Sequence, residues 1–356
     1  MTVLRVSLVA ALMVALVAAG WLAFVPQRPV PEGPHGVGRM DAALTDSAGR
    51  PLPLTIWYPA EGPRGRVVAD ALLARAGGPA PLILYSPGWG GARTQSSIQA
   101  ENLASHGFVV VACDDVSSDA ATRPDDGPSF DMDTDATRAA SLGLASRHVL
   151  VQGARLVDVL DAVEAGRVPR LAGRVDLARV GAMGYSVGGS SVLQAGLLDP
   201  RIVAILNIDG ALLGPSAEQI GPQAYFLLSS REAFPTVAEE TSSDPAVRGS
   251  AWISLADIPR NRRRMERPGN YWAVIDAATH EDMSDGLFAV HRSNLLRLNI
   301  QRTAIDTAIR RFAVAFFESA LLGEPAALRT LVADQPSSAR WISSTPAASG
   351  TASATQ

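Results

Sequence analysis

Residues 179–198 read RVGAMGYSVGGSSVLQAGLL, the sequence of a strand, a tight turn and a helix. RVGAMGY is short, apolar and uncharged after Arg179, as a buried strand is, and SVLQAGLL has helical apolar spacing. Between them Gly184-Tyr185-Ser186-Val187-Gly188 matches Gly-x-Ser-x-Gly. The pentapeptide alone is a weak signal, because glycine and serine are common residues. Placed between a strand and a helix it is a strong one. A sharp strand-to-helix turn forces the serine into strained backbone, and the glycines keep strand and helix from colliding.

Outward from this turn, short apolar runs alternate with amphipathic segments. Strands are expected at 39–45, 52–58, 81–86, 108–113, 179–185, 203–208, 224–229 and 271–275, with helices at 97–105, 148–164, 188–198 and 300–322. Gly49-Arg50-Pro51 between the first two strands suggests an antiparallel hairpin. The later strands are separated by enough chain for crossover helices. A mainly parallel eight-stranded sheet flanked by helices, with an antiparallel start, describes the α/β-hydrolase fold. No internal repeat is visible.

Four segments are expected. Residues 6–25 are uncharged and apolar, and as a helix would span about 30 Å, the thickness of a bilayer's hydrocarbon core. Residues 1–25 therefore read as an export segment, either an uncleaved signal anchor or a signal peptide cleaved after Val17-Ala18-Ala19. Both place the rest of the chain outside the cytoplasm, anchored or secreted. Residues 26–38 read as a Pro/Gly linker, 39–335 as one catalytic domain, and 336–356, rich in Ser, Ala and Thr, as a disordered tail.

Composition narrows the chemistry. The 356 residues carry 31 basic and 35 acidic side chains, a net charge of −4. Every basic residue is arginine, so Schiff-base, P-loop and general-base lysines are excluded. The acidic balance offers no basic face to nucleic acid. Cys113 stands alone in an apolar run and reads as a buried structural thiol.

A serine hydroxyl needs a base, and the base needs a third group to hold it. In this fold the chain order is Ser, acid, His. Two histidines follow Ser186. His280 ends a strand–loop sequence at the carboxyl edge of the sheet and is preferred over His291, which lies on or near a helix. Asp209 ends the strand at 203–208 and is the preferred acid, with Asp276 as second choice; Asp199 before Pro200 reads as a turn residue. His35, His106 and His148 fall in the linker, at a helix end and at a helix start. An acyl-transfer site also needs N–H donors for the developing oxyanion. Val187 supplies one, and Trp89 in the loop Ser86-Pro87-Gly88-Trp89-Gly90-Gly91 is expected to supply the second.

The strand LTIWYPA, the strand and loop LILYSPGWGGARTQSSIQAENLASHGFVVVACDD, the helix RHVLVQGARLVDVLDAV, the elbow GYSVGGSSVLQAGLLDPRIVAILNIDG, the segment FLLSSREAFP and the His280 loop are similar, in that order, to the plasma and type II intracellular platelet-activating-factor acetylhydrolases and their bacterial relatives. The similarity covers most of residues 39–322. It implies a Ser-Asp-His triad at Ser186, Asp209 and His280, backbone oxyanion donors at Trp89 and Val187, and no metal or other cofactor. The family usually reads Ser-His-Gly where this chain has Ser86-Pro87-Gly88, which implies an altered loop shape.

The expected function is therefore a serine ester hydrolase acting through an acyl-serine intermediate on a small-molecule or lipid ester. An acyltransferase and a non-catalytic hydrolase-fold binding protein are the alternatives. Membrane association would come from the amino-terminal segment if it is uncleaved. Asp131-Met132-Asp133-Thr134-Asp135 opens like a calcium loop but lacks its glycine and closing glutamate, so it reads as a solvated loop. Arg260-Asn261-Arg262-Arg263-Arg264 reads as a solvated helix face, with anionic lipid as the other reading.

Overall fold

The computed structural model describes residues 12–13, 20, 23–74, 78–118, 134–289, 297–334 and 339–343. Ten strands form one sheet: β1 (Gly36–Thr45), β2 (Pro51–Ala60), β3 (Val67–Ala69), β4 (Ala80–Ser86), β5 (Val109–Cys113), β6 (Val175–Tyr185), β7 (Ile202–Ile208), β8 (Ala224–Ser230), β9 (Tyr271–Ile275) and β10 (Arg340–Ser343). Their order is β10-β9-β8-β7-β6-β4-β5-β2-β1-β3. From β5 to β9 neighbouring strands are parallel, while β1–β2, β2–β5 and β9–β10 are antiparallel.

The helices are α1 (Ser97–Ser105), α2 (Asp135–Glu164), α3 (Val187–Leu198), α4 (Pro245–Met265), α5 (Asn299–Phe317) and α6 (Ala326–Asp334), with a single turn at Val237–Glu240. Strand side chains alternate between the faces. Ile83, Tyr85, Val110, Met183, Leu206 and Phe226 meet Leu103 of α1 and Phe312, Phe316 and Phe317 of α5. Leu82, Leu84, Val109, Val111, Ala182 and Leu227 pack with Leu156 and Leu160 of α2 and Val192 of α3. Helices on both faces leave β4 and β5 buried at every residue, which is why they read as unbroken apolar runs.

Among the described residues the sheet has ten strands, not eight. β3 and β10 are three and four residues long, too short for alternation to be legible. β10 also lies inside the stretch read as a disordered tail. Trp341 secures it, stacked on Phe226 at 5.7 Å and edge-on to Phe312 at 5.3 Å, with its indole N–H donated to the Leu331 carbonyl at 3.1 Å.

Two helices are longer or newer than the sequence suggested. α2 starts at Asp135 behind a Thr134–Thr137 capping box, so His148 sits within the helix rather than at its start. α4 has few buried positions and hence little apolar period. It absorbs the arginine run: Arg264 is buried over Tyr225 and donates to the Ser216 and Gln219 carbonyls, Arg260 pairs with Glu218 and Asp257, and Arg263 reaches the Glu218 carbonyl.

The segment before β1 is tied to the domain. Arg28 pairs with Glu101 at 2.7 Å, Glu32 with Arg310 at 3.0 Å, and the Gly33 N–H is donated to the Ser105 hydroxyl at 2.9 Å. Among the described residues no helix is long and apolar enough to cross a membrane; the run at 6–25 lies mostly outside them.

Candidate active site

β6 ends at Tyr185 and α3 begins at Val187, so the whole turn falls on Ser186, at φ 56° and ψ −128°. A non-glycine residue there is strained and persists only where its surroundings force it. They do. A Cβ on Gly184 would lie 2.1 Å from the Gly188 carbonyl oxygen, and one on Gly188 would lie 2.3 Å from that of Ser86. The Ser186 N–H is donated to the Ile208 carbonyl at 3.0 Å, fixing the elbow to the end of β7.

That same strand end carries Asp209, itself at φ 51°. One carboxylate oxygen accepts from the Ser230 N–H at 2.7 Å, and the other lies 2.7 Å from His280 Nδ1. A carboxylate only accepts, so Nδ1 carries the proton and leaves Nε2 as an acceptor. Ser186 Oγ lies 3.0 Å from Nε2. The structure thus brings Ser186, Asp209 and His280 into one relay.

The imidazole is held from several sides. Tyr185 stacks on it at 5.0 Å and donates its hydroxyl to the His280 carbonyl at 3.0 Å. The His280 turn is closed by Asp282, which accepts from the Thr279 N–H and hydroxyl and pairs with Arg297 at 2.6 Å. Burial works against the imidazolium, but the Asp209 hydrogen bond and charge, with Glu281 and Glu232, outweigh it and raise the His280 pKa. Burial raises the Glu232 carboxyl too, with Asp209 adding to the effect.

The loop after β4 passes along the serine. A Cβ on Gly88 would sit 3.1 Å from Ser186 Cβ. The Gly88 N–H is donated to Gln95 Oε1 at 2.8 Å, and the Gly91 N–H to the Gly88 carbonyl at 2.9 Å, making a tight turn with Trp89 and Gly90 at its centre. Val187 is the first residue of α3, so its N–H has no acceptor within the helix. Pro87 contributes its carbonyl to the packing against Gly188 and lies outside the turn.

The remaining sequence candidates are elsewhere. Asp276 is half-exposed and pairs with Arg340. Asp199 pairs with Arg201 at the end of α3. His106 Nδ1 lies 2.8 Å from the Asn102 carbonyl, at the end of α1. The backbone N–H of His35 is donated to the Ser105 carbonyl. His291 and most of the calcium-like stretch lie outside the described residues. Cys113 is buried, and burial pushes its thiol up to about 12. Sequence reasoning missed Gln95, Tyr185, Ser230, Asp282 and a buried Asp115–His148 pair beside Trp89.

Comparison with known proteins agrees with this architecture. Residues 63–125 match the family model of platelet-activating factor acetylhydrolase, isoform II. A ferulic acid esterase from Streptomyces cinnamoneus superposes with a TM-score of 0.59 at 20% identity, over 88% of this chain and 98% of that one. No curated protein matches the chain. The chain has the α/β-hydrolase fold and is similar to the platelet-activating-factor acetylhydrolase family.

Proposed function

We propose that this chain is a serine carboxylic-ester hydrolase working through an acyl-serine intermediate. The observation that carries the reading is the Ser186–His280–Asp209 relay, with contacts of 3.0 and 2.7 Å, on a strained elbow. Ser186 Oγ attacks the ester carbonyl while His280 Nε2 takes its proton. Asp209 keeps the proton on Nδ1 and stabilises the imidazolium that forms. The N–H groups of Trp89 and Val187 receive the oxyanion, a term worth about 3–4 kcal/mol per donor in comparable sites. His280 then protonates the departing alkoxide, leaving an acyl-serine. Water, deprotonated by His280, attacks that ester and returns Ser186.

The matched family and the esterase neighbour support an ester as the substrate class. In this proposal residues 6–25 place the enzyme outside the cytoplasm, anchored or released. The test is hydrolysis of a short-chain p-nitrophenyl ester by the wild type and Ser186→Ala. Activity and labelling by a fluorophosphonate are both expected to vanish in the variant; wild-type turnover by Ser186→Ala defeats the proposal.

A further inference from the structure

A second histidine–carboxylate pair lies beside the Ser186 relay, and the hydrolytic steps do not use it. Asp115, 1% exposed, follows the carboxyl end of β5. One of its oxygens lies 2.6 Å from His148 Nε2, which is donated from the buried face of α2. The other accepts the Gly90 N–H and the Ser117 N–H, each at 3.0 Å, and the Ser117 hydroxyl, whose own oxygen shares the Gly90 N–H at 3.0 Å. The Asp115 N–H is donated to the Gly91 carbonyl at 3.1 Å. The His148 ring packs 4.6 Å from the Trp89 indole.

These contacts converge on the turn that carries the second oxyanion donor. Gly90, at φ 65°, occupies the third position of a turn closed by the Gly91 N–H on the Gly88 carbonyl, as in a type II turn. Flipping its central amide would aim the Trp89 carbonyl, instead of the Gly90 N–H, at a buried carboxylate. Asp115 therefore selects one state of the turn. On the other side the Gly88 N–H is held by Gln95. The Trp89 amide lies between two anchored neighbours, and its indole rests on the imidazole that partners Asp115.

An aspartate that only capped its own turn would need Ser117 and nothing more. This one recruits a histidine from a separate helix, and the pair touches the 88–91 turn through both backbone and indole. We propose that Asp115 and His148 are positioning residues that hold the Trp89 N–H on the developing oxyanion, an inference that rests on the serine-hydrolase reading. Their effect falls on the transition state, since the loop's hydrogen bond to substrate strengthens only as the carbonyl oxygen gains charge.

The experiment compares wild type, Asp115→Ala, Asp115→Asn, His148→Phe and Ser117→Ala with p-nitrophenyl acetate, well below each variant's Tm. In Asp115→Ala kcat is expected to fall about 10- to 100-fold with KM nearly unchanged, less than the ~100- to 1000-fold of losing a donor outright. Affinity for an alkyl trifluoromethyl ketone, which forms a tetrahedral oxyanion on the serine, is expected to fall in parallel. Asp115→Asn, which keeps an acceptor for Gly90, is expected to lose less, and His148→Phe to lose kcat while keeping the stack on Trp89. A folded Asp115→Ala with wild-type kcat and ketone affinity overturns the proposal. Should Asp115→Ala fail to fold, Asp115→Asn and His148→Phe decide: lower kcat and ketone affinity in either supports the proposal, and unchanged values in both overturn it, while Ser117→Ala measures the separate contact of the Ser117 hydroxyl with the Gly90 N–H. Failure of the underlying reading is separately visible as turnover by Ser186→Ala.

Discussion

Asp209→Asn isolates what the third member of the relay contributes. The Ser230 N–H, 2.7 Å from one Asp209 oxygen, requires an acceptor there. An asparagine amide must therefore keep its oxygen toward Ser230 and turn its nitrogen toward His280 Nδ1. That nitrogen is a donor, so Nδ1 becomes the acceptor and the proton moves to Nε2, the atom facing Ser186. The imidazole then holds the wrong tautomer and cannot take the serine's proton. A tautomer error of this kind lowers kcat by about 10⁴-fold, which is about 5 kcal/mol of barrier. Shape, volume and elbow stay as they are, so KM for a p-nitrophenyl ester and the Tm are expected to move little. Asp276→Asn is the matched control, since Asp276 pairs with Arg340 at the surface; its kcat is expected to stay at the wild-type value. Stopped assays at high enzyme concentration resolve the residual rate. Retention of a tenth or more of wild-type kcat in Asp209→Asn would mean that Asp209 does not set the imidazole's tautomer.

Three further outcomes follow from the same geometry. The raised His280 pKa puts the acid limb of kcat/KM above the ordinary imidazole value of 6.5: activity is lost as pH falls through that limb, because the base becomes protonated. A limb below 6.5 contradicts the assigned partners. Burial pushes Asp257, Asp285 and Asp306 up to about 6 each. Between about pH 4 and 6 the native chain then binds more protons than the unfolded one, so these groups add stability as pH falls through their folded values. Tm is expected to rise between pH 7 and 5, and a fall over that range counts against the burial of these carboxylates. Gly188→Ala places a Cβ 2.3 Å from the Ser86 carbonyl oxygen and 2.4 Å from that of Pro87, both backbone atoms. Overpacking of about 2–3 kcal/mol should lower Tm by roughly 3–5 °C in a domain of about 300 residues; a wild-type Tm in calorimetry refutes that close approach.

The parts of the fold legible in the sequence share one physical origin. β4 to β9 are covered by helices on both faces, so burial writes itself into the chain as continuous apolar runs. The elbow is legible because Ser186 needs small neighbours on both sides, and His280 and Asp209 because they fall just after strands at the carboxyl edge. β3, β10 and α4 bury too little for a period to appear. The supporting groups were hidden for a different reason: they meet only in the folded chain. His148 lies 33 residues from Asp115, and the Ser97 hydroxyl reaches Asp285 across 188. One signal was available. Asp114-Asp115 directly follows β5, at the edge where α/β sheets gather their functional groups.

Strand β10 has a consequence for how copies of this protein coexist. Without Arg340–Ser343, the parallel run would end at β9, whose five buried residues YWAVI would offer a bare row of backbone donors and acceptors. Such an edge is a template for a strand from another molecule. The four residues that cover it are short and broken by a register shift between Trp341 and Ser343, and at the far side three-residue β3 ends the sheet in a similar way. Among the described residues each margin thus ends in a strand of three or four residues, and a chain cut after Asp334 is expected to associate edge to edge through β9.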